Sequence, residues 1–213
     1  MWRPASIISM VAASFAPEGA KMPVTYTNRK GRVYFLCEGR TRTGKPRYNF
    51  STEQKETPVE TIPTGYEIQE SVNGIVSLVR IKPCLLTPEE INSVDSALKA
   101  RPEASRYRLS TKSNVITIHE LIGPSRKELR FLAERIGIGS RSGIIAELEA
   151  INEQFRPILR FTLTDTIERL FMAERWCFRG SIDGWICVQN ENSIKYLATK
   201  LIPVLGTDAF YEL

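Results

Sequence analysis

Arg156–Val188 reads RPILRFTLTDTIERLFMAERWCFRGSIDGWICV, the longest apolar-rich segment of the chain, and it holds two of the three tryptophans. Leu159, Phe161 and Leu163 alternate with Arg160 and Thr162, the period-two pattern of a half-buried strand. Thr164-Asp165-Thr166 reads as a turn. Glu168–Phe178 is rich in aromatic and apolar residues and reads as a second strand. Arg179-Gly180-Ser181-Ile182-Asp183-Gly184 is dense in turn formers, and Trp185-Ile186-Cys187-Val188 supplies a third strand. The segment is therefore expected as a three-stranded antiparallel meander. A helix competes for its middle: Ile167, Leu170, Phe171, Ala173 and Glu174 also fit one helical face, with Thr164 as the N-cap. Periodicity alone does not separate the two for so short a run. At strand spacing Trp176 and Phe178 share a face, which reads as core against the helices.

Working outward toward the N-terminus, two amphipathic helices are expected before the meander. Ser125 caps the first, with Glu128 at the matching position; Leu129, Leu132 and Ile136 line its face, and Gly137 or Gly139 ends it. The second covers about 142–154, with Ile144, Ile145, Leu148, Ile151 and Phe155 as its stripe. Ahead of them, Arg106–Leu109 and Val115–His119 flank Ser113-Asn114 as a hairpin. Thr87-Pro88-Glu89-Glu90 opens a helix by local chemistry. Thr87 can cap, Pro88 suits the first helical position and Glu90 completes a capping box. Ile91, Val94 and Leu98 form its buried stripe, and Pro102 stops it. Beyond the meander, 193–205 reads as a further amphipathic helix capped by Asn192 and bent or ended by Pro203, with Ile194, Leu197, Ala198 and Leu201 inward. Phe210, Tyr211 and Leu213 are too apolar for a loose tail, so the C-terminus is expected to dock.

Residues 22–83 read as a separate β module. Arg32–Cys37 and Tyr48–Phe50 make one hairpin across the polar connection Arg40–Arg47, which contains Gly44 and Pro46. Residues 51–61 look like a solvated loop. Tyr66–Glu70 and Ile75–Arg80 make a second hairpin around Asn73-Gly74, where both residues tolerate positive φ. Residues 1–21 differ in composition from the rest and read as a disordered leader. A signal peptide is the competing reading, but Ile7–Val11 is short for an apolar h-region.

Composition bounds the class. The chain has 213 residues, 42% hydrophobic and 25% charged, an ordinary globular balance. No run of eighteen apolar residues exists, so no membrane-spanning helix is expected. Four cysteines (Cys37, Cys84, Cys177, Cys187) and the single His119 form no zinc-ligand spacing, so no metal or cofactor is expected. The thiols read as free and partly buried in a reducing cytoplasm. A hairpin turning about Ile182 would bring Cys177 opposite Cys187, which raises a disulfide as a second reading.

Charge carries most of the functional information. Residues 22–58 hold eight basic residues (Arg29, Lys30, Arg32, Arg40, Arg42, Lys45, Arg47, Lys55) against Glu38, Glu53 and Glu56. Their net +5 equals that of the whole chain, so everything else balances to zero. Tyr26, Tyr34, Phe35, Tyr48 and Phe50 are interleaved with them. Cations neutralise phosphates, and exposed aromatics stack on bases. The candidate nucleic-acid-binding residues are therefore Arg40, Arg42, Lys45, Arg47, Tyr48 and Phe50. Basic residues also protect sheet edges from aggregation, and sheet aromatics are often core. An acidic protein surface would suit the same patch.

Catalytic chemistry would have to rest on carboxylates. Asp165, Glu168, Glu174 and Asp183 lie in or beside the meander, and a converging pair could hold Mg²⁺ or act as acid and base. Asp165 and Asp183 sit in predicted turns, where Asp is favoured for local hydrogen bonding. Glu168 and Glu174 each neighbour an arginine. No nucleophile elbow, P-loop or dinucleotide fingerprint is present, and Gly137-Ile138-Gly139 follows a helix rather than a strand. His119 ends a strand beside Glu120 and reads as structural.

The whole reads as an α+β protein. A small N-terminal antiparallel β module (22–83) precedes a mixed domain (84–213), in which three or four helices cover an antiparallel meander. The functional expectation is a soluble cytoplasmic binding or accessory protein that contacts nucleic acid through the basic hairpin. The alternatives are a protein-interaction module using that hairpin or the aromatic cluster, and a metal-dependent hydrolase built on the meander carboxylates.

Overall fold

The computed structural model describes residues 22–53, 57–124, 153–179 and 182–212, together with 128, 131, 134 and 135. Among these, 47% lie in strands and 19% in helices, with eleven strands in three sheets. The α+β expectation, a helix-covered meander, is therefore corrected: the protein is mostly β. The reason lies in strand length. The three meander strands run over 12, 10 and 12 residues, well beyond the short segments their alternation marked. The helices expected at 125–137 and 142–154 fall largely outside the described residues, as does the leader at 1–21. One end of the second is corrected: Gln154 begins a strand, and Phe155 is buried within it.

The chain divides into two compact units, 1–81 and 82–213. In the first, β1 (Thr25–Thr27) and β3 (Pro46–Ser51) pair with opposite edges of β2 (Val33–Arg40). The two-residue β4 (Thr57–Pro58) also pairs with β2, inside the stretch expected as loop. β5 (Tyr66–Glu70) and β6 (Val76–Arg80) form a separate hairpin. Leu36 and Cys37, adjacent on β2, are both fully buried, so both faces of this small sheet are covered at its centre.

Three turns of this unit share one construction. Asn28–Arg32, Thr41–Lys45 and Ser71–Ile75 each bond the first residue's N–H to the fifth residue's C=O, at 2.9 Å. In each the fourth residue is a glycine at φ of 75° to 78°: Gly31, Gly44 and Gly74. The first side chain, Asn28 Oδ1, Thr41 Oγ1 or Ser71 Oγ, accepts from the fifth residue's N–H at 2.9 to 3.1 Å. This is a three-residue hairpin loop, a type I turn closed by a left-handed glycine. The hairpin expected around Asn73-Gly74 is present, with Gly74 rather than Asn73 taking the positive φ. A network then ties two of the turns together. Asn28 Nδ2 donates to Gly74 O, while Glu70 accepts from Arg29 N, Arg29 Nε and Tyr26 Oη.

The second unit is a five-stranded antiparallel sheet in the order β11-β10-β9-β8-β7. Its strands are β7 (Tyr107–Lys112), β8 (Val115–Ile122), β9 (Gln154–Asp165), β10 (Leu170–Arg179) and β11 (Ile182–Ser193). Cross-strand partners share a face. Ile116 with Phe161, Ile118 with Leu159 and Leu163 with Phe171 therefore line one side, and all six are buried. That side joins one core cluster with Val94 and Leu98 of α1 (Pro88–Lys99) and Leu197 and Leu201 of α2 (Ile194–Leu201). Truncating a side chain in such a core costs about 2–5 kcal/mol.

Both helices follow from local chemistry. The α1 capping box is present: Thr87 Oγ1 accepts from Glu90 N, and Glu90 Oε2 from Thr87 N at 2.8 Å. Ser193, rather than Asn192, caps α2 by accepting from Tyr196 N, and the helix ends at Leu201, just ahead of Pro203. Arg101 satisfies carbonyls past that end, donating to Ile202, Pro203 and Leu205. Phe210, on the short α3 (Asp208–Tyr211), is 2% exposed, so the C-terminal segment docks as its composition required.

In the central stretch two competing alternatives fall away and one reading changes. The competing helix is absent: a four-residue turn with Arg169 at φ 54° connects β9 to β10. The last hairpin pairs Arg179 with Ile182, so Ile182 belongs to the ladder rather than to its turn. Cys177 then faces Gly184 and Cys187 faces Glu174, and both thiols are free. Trp176 and Phe178 do share a face, but it is the one opposite Phe171 and Ala173, away from α1 and α2. Phe178 is 83% exposed there.

Candidate nucleic-acid interface

The tip of the β2–β3 hairpin is built by its own five residues. Gly44, at φ 78°, allows the reversal, and an added Cβ would meet nothing within 4 Å. Thr41 Oγ1 accepts from Lys45 N at 3.1 Å and bonds Thr43 Oγ1 at 3.0 Å, which holds the loop from within. The side chains of Arg42 and Lys45 are left pointing to solvent. Register places Arg40 opposite Pro46 and Arg47 opposite Gly39, so Arg40 and Arg47 emerge on opposite faces of the hairpin. All four cations are exposed. None has a hydrogen-bond, ion-pair or ring partner on its side chain among the described residues.

Arg29, elsewhere in residues 22–58, behaves differently. Arg29 is taken up by Glu70, at 2.6 Å from Nε to Oε1. Burial alone would raise the Glu70 carboxyl, but hydrogen bonds from Arg29 and Tyr26 outweigh it and hold it below its ordinary value. Clustered charge in the sequence thus separates in the fold: Arg29 clamps turns together, while the four tip cations have no counter-charge among the described residues.

The aromatic half of the expectation is placed otherwise than exposed stacking requires. Tyr48 and Phe50 share the β3 face with Pro46 and are half-buried. Phe50 lies opposite the fully buried Leu36. Tyr48 packs edge-on against Tyr66, with ring centroids 6.3 Å apart. Tyr26 is bonded to Glu70 at 3.0 Å, and burial with that carboxylate raises its pKa. Two residues that charge clustering missed join the tip through Tyr48. Tyr66 is one, and Arg80 is the other: its guanidinium lies 5.9 Å from the Tyr66 ring centroid and donates to Tyr66 Oη at 3.3 Å. The signal for Arg80 was available only in register, since it faces Tyr66 across the second hairpin.

The meander carboxylates do not converge. Asp165 pairs with Leu170 at one end of β10, and Asp183 with Phe178 near the other. At about 3.3 Å per residue, that is roughly 26 Å apart. Asp165 Oδ1 accepts from Ile167 N and Glu168 N at 2.7 and 2.8 Å, the local role Asp has in turns. Glu174 accepts from Arg160 Nε and Nη2 at 2.6 and 2.8 Å and from Thr162 Oγ1 at 3.2 Å. Arg160 also lies over the Trp185 ring at 4.4 Å, and Trp185 meets Trp176 edge-on at 5.2 Å. His119 Nε2 bonds Ser110 Oγ at 2.9 Å, while Nδ1 is buried without a partner among the described residues, and burial lowers the pKa of the ring. No group of three or more His, Cys, Asp or Glu among the described residues could hold a metal ion.

Comparison with protein-family models, with curated proteins and with solved structures found no match to this chain. No described helix is long and apolar enough to cross a membrane.

Proposed function

We propose that this protein binds nucleic acid, with Arg40, Arg42, Lys45 and Arg47 of the β2–β3 tip contacting backbone phosphates. One observation carries the reading: four exposed cations on one hairpin without a counter-charge among the described residues. Three of the four are arginines. Edge protection draws chiefly on lysine, whereas the guanidinium fork matches two phosphate oxygens at once. Arg40 and Arg47 on opposite faces let the hairpin engage phosphates on both of its sides, as a ribbon lying in a groove does. Tyr48 and Phe50 support the strand that carries the cations, so the interface is led by charge rather than by stacking. Arg80 extends it. The four free thiols fit a reducing, cytoplasmic setting.

Fluorescence anisotropy with short single- and double-stranded DNA and RNA tests this reading. With four phosphates neutralised on a duplex, the slope of log K against log salt is about −3.6, roughly a hundredfold loss from 50 to 200 mM. Changing Arg40, Arg42, Lys45 and Arg47 to Ser is expected to abolish binding while leaving the fold intact, since all four are exposed. Salt-insensitive binding, or binding that survives the four changes, overturns the proposal.

A further inference from the structure

The sheet of the second unit forks. β9 and β10 pair from Leu170 opposite Asp165 as far as Arg175 opposite Leu159, and pairing then stops. Beyond that point β9 continues only with β8, and β10 only with β11. The cause is local. A register shift on the β8 side falls between Ile118 and His119, opposite Pro157 and Ile158. A bulge bends its strand, and proline supplies no N–H to a ladder. β9 therefore leaves β10, and the edge of β10 over 176–179 has no strand partner among the described residues.

The mouth of this fork is a cleft of about 620 Å³. Pro157 and Ile158 line one arm, Trp176 and Phe178 the other, and Phe210 with Tyr211 also contribute. Arg156 and Arg175 belong to the same cleft. The Arg156 side chain is 58% exposed and sits 3.5 Å from Glu120; Arg175 is steadied by donating to Tyr211 O at 3.2 Å. The combination is specific: a bare strand edge, exposed aromatic surface beside it, and a guanidinium on each arm.

From this we infer that the fork binds an extended acidic peptide. The peptide would add as a strand along 176–179 of β10, with its carboxylates meeting Arg156 and Arg175 and its apolar side chains packing on Phe178. Strand addition uses main-chain hydrogen bonds for affinity and alternate side chains for selection. Pro157 assigns the ladder to β10 rather than to β9. The site lies wholly within 82–213 and is independent of the basic hairpin.

The test uses the full chain with Arg40, Arg42, Lys45 and Arg47 changed to Ser, so that the hairpin cannot capture the probe. The probe is a fluorescein-labelled nonapeptide of alternating glutamate and valine. Saturable binding is expected, with none for the lysine–valine analogue. Methylating alternate peptide nitrogens along the pairing edge, or changing Phe178→Asp, is expected to weaken binding by at least about tenfold. Changing Arg156 and Arg175 together to Ser is expected to abolish it. Phe178 is so exposed that its variant keeps the fold, which leaves the test decisive should the arginine variant not fold. No saturable binding overturns the inference, as does equal affinity for the methylated peptide or for the Phe178→Asp protein.

Discussion

Glu174 is 10% exposed at its side chain, yet it stays ionised because Arg160 offers it two hydrogen bonds and Thr162 a third. Hydrogen bonding from Arg160 is the largest influence and lowers the pKa; burial opposes it and loses. A carboxylate whose folded pKa is depressed contributes its stability above its ordinary value of 4.5, and loses it as pH falls through the lower folded value. Glu174→Gln keeps the shape but removes the charge from hydrogen bonds worth about 1.5–3 kcal/mol each at most, so a loss of about 2 kcal/mol is expected at pH 7. Urea denaturation at pH 7 and again below pH 4 checks this. The gap between variant and parent should shrink in acid. A gap that is constant with pH would mean that packing under Trp185, rather than charge, sets the cost.

At the scale of elements, the five-residue turns are the most legible devices in the chain. Each is specified by a side-chain acceptor first and a glycine fourth, so no distant residue is needed to form it. Context then ranks them. Gly44→Ala puts an alanine at φ 78° in open space, costing about 1–2 kcal/mol for the left-handed backbone. Gly74→Ala pays the same backbone term, and its new Cβ would also stand 3.1 Å from Asn28 Nδ2. Thermal melting of the two variants is expected to place Gly74→Ala lower; equal melting would show that Asn28 yields without cost. The α1 cap was equally legible, because Thr87, Pro88 and Glu90 act within one turn. Strand register was not: Asp183-Gly184 looks like a turn, but both residues lie within β11, because Phe178 and Cys177 are available to pair with them.

For the whole molecule, the second unit carries one continuous core cluster. It runs from Leu86 through Phe161 and Phe171 to Phe210, and every described member lies within 82–213. A fragment of those residues is therefore expected to unfold in one cooperative urea transition by circular dichroism. A broad, uncooperative loss of signal would show that residues 1–81 are needed to complete it. The first unit buries far fewer large side chains, with Leu36, Cys37, Val72 and Val76 prominent. A domain that small sits close to the limit of independent stability. The clamp of Asn28, Arg29 and Glu70 across its turns supplies polar interactions where apolar burial is thin.

The sequence by itself determined what depends on neighbours along the chain: the hairpins, the α1 capping box, the meander strands, the docking of Phe210 and the concentration of charge in 22–58. Those features rest on turn chemistry and periodicity, which act over a few residues. Tertiary structure alone decided how long the strands grew, and hence the mostly-β class. It also decided that Arg29 would be taken up by Glu70 while four cations stayed exposed at the tip, that Tyr48 would pack on Tyr66, and that Asp165 and Asp183 would stand at opposite ends of a strand. It set where β9 leaves β10 as well. Each of these depends on which distant residue arrives opposite, and cross-strand pairing is settled by the packing of the whole sheet rather than by any one segment.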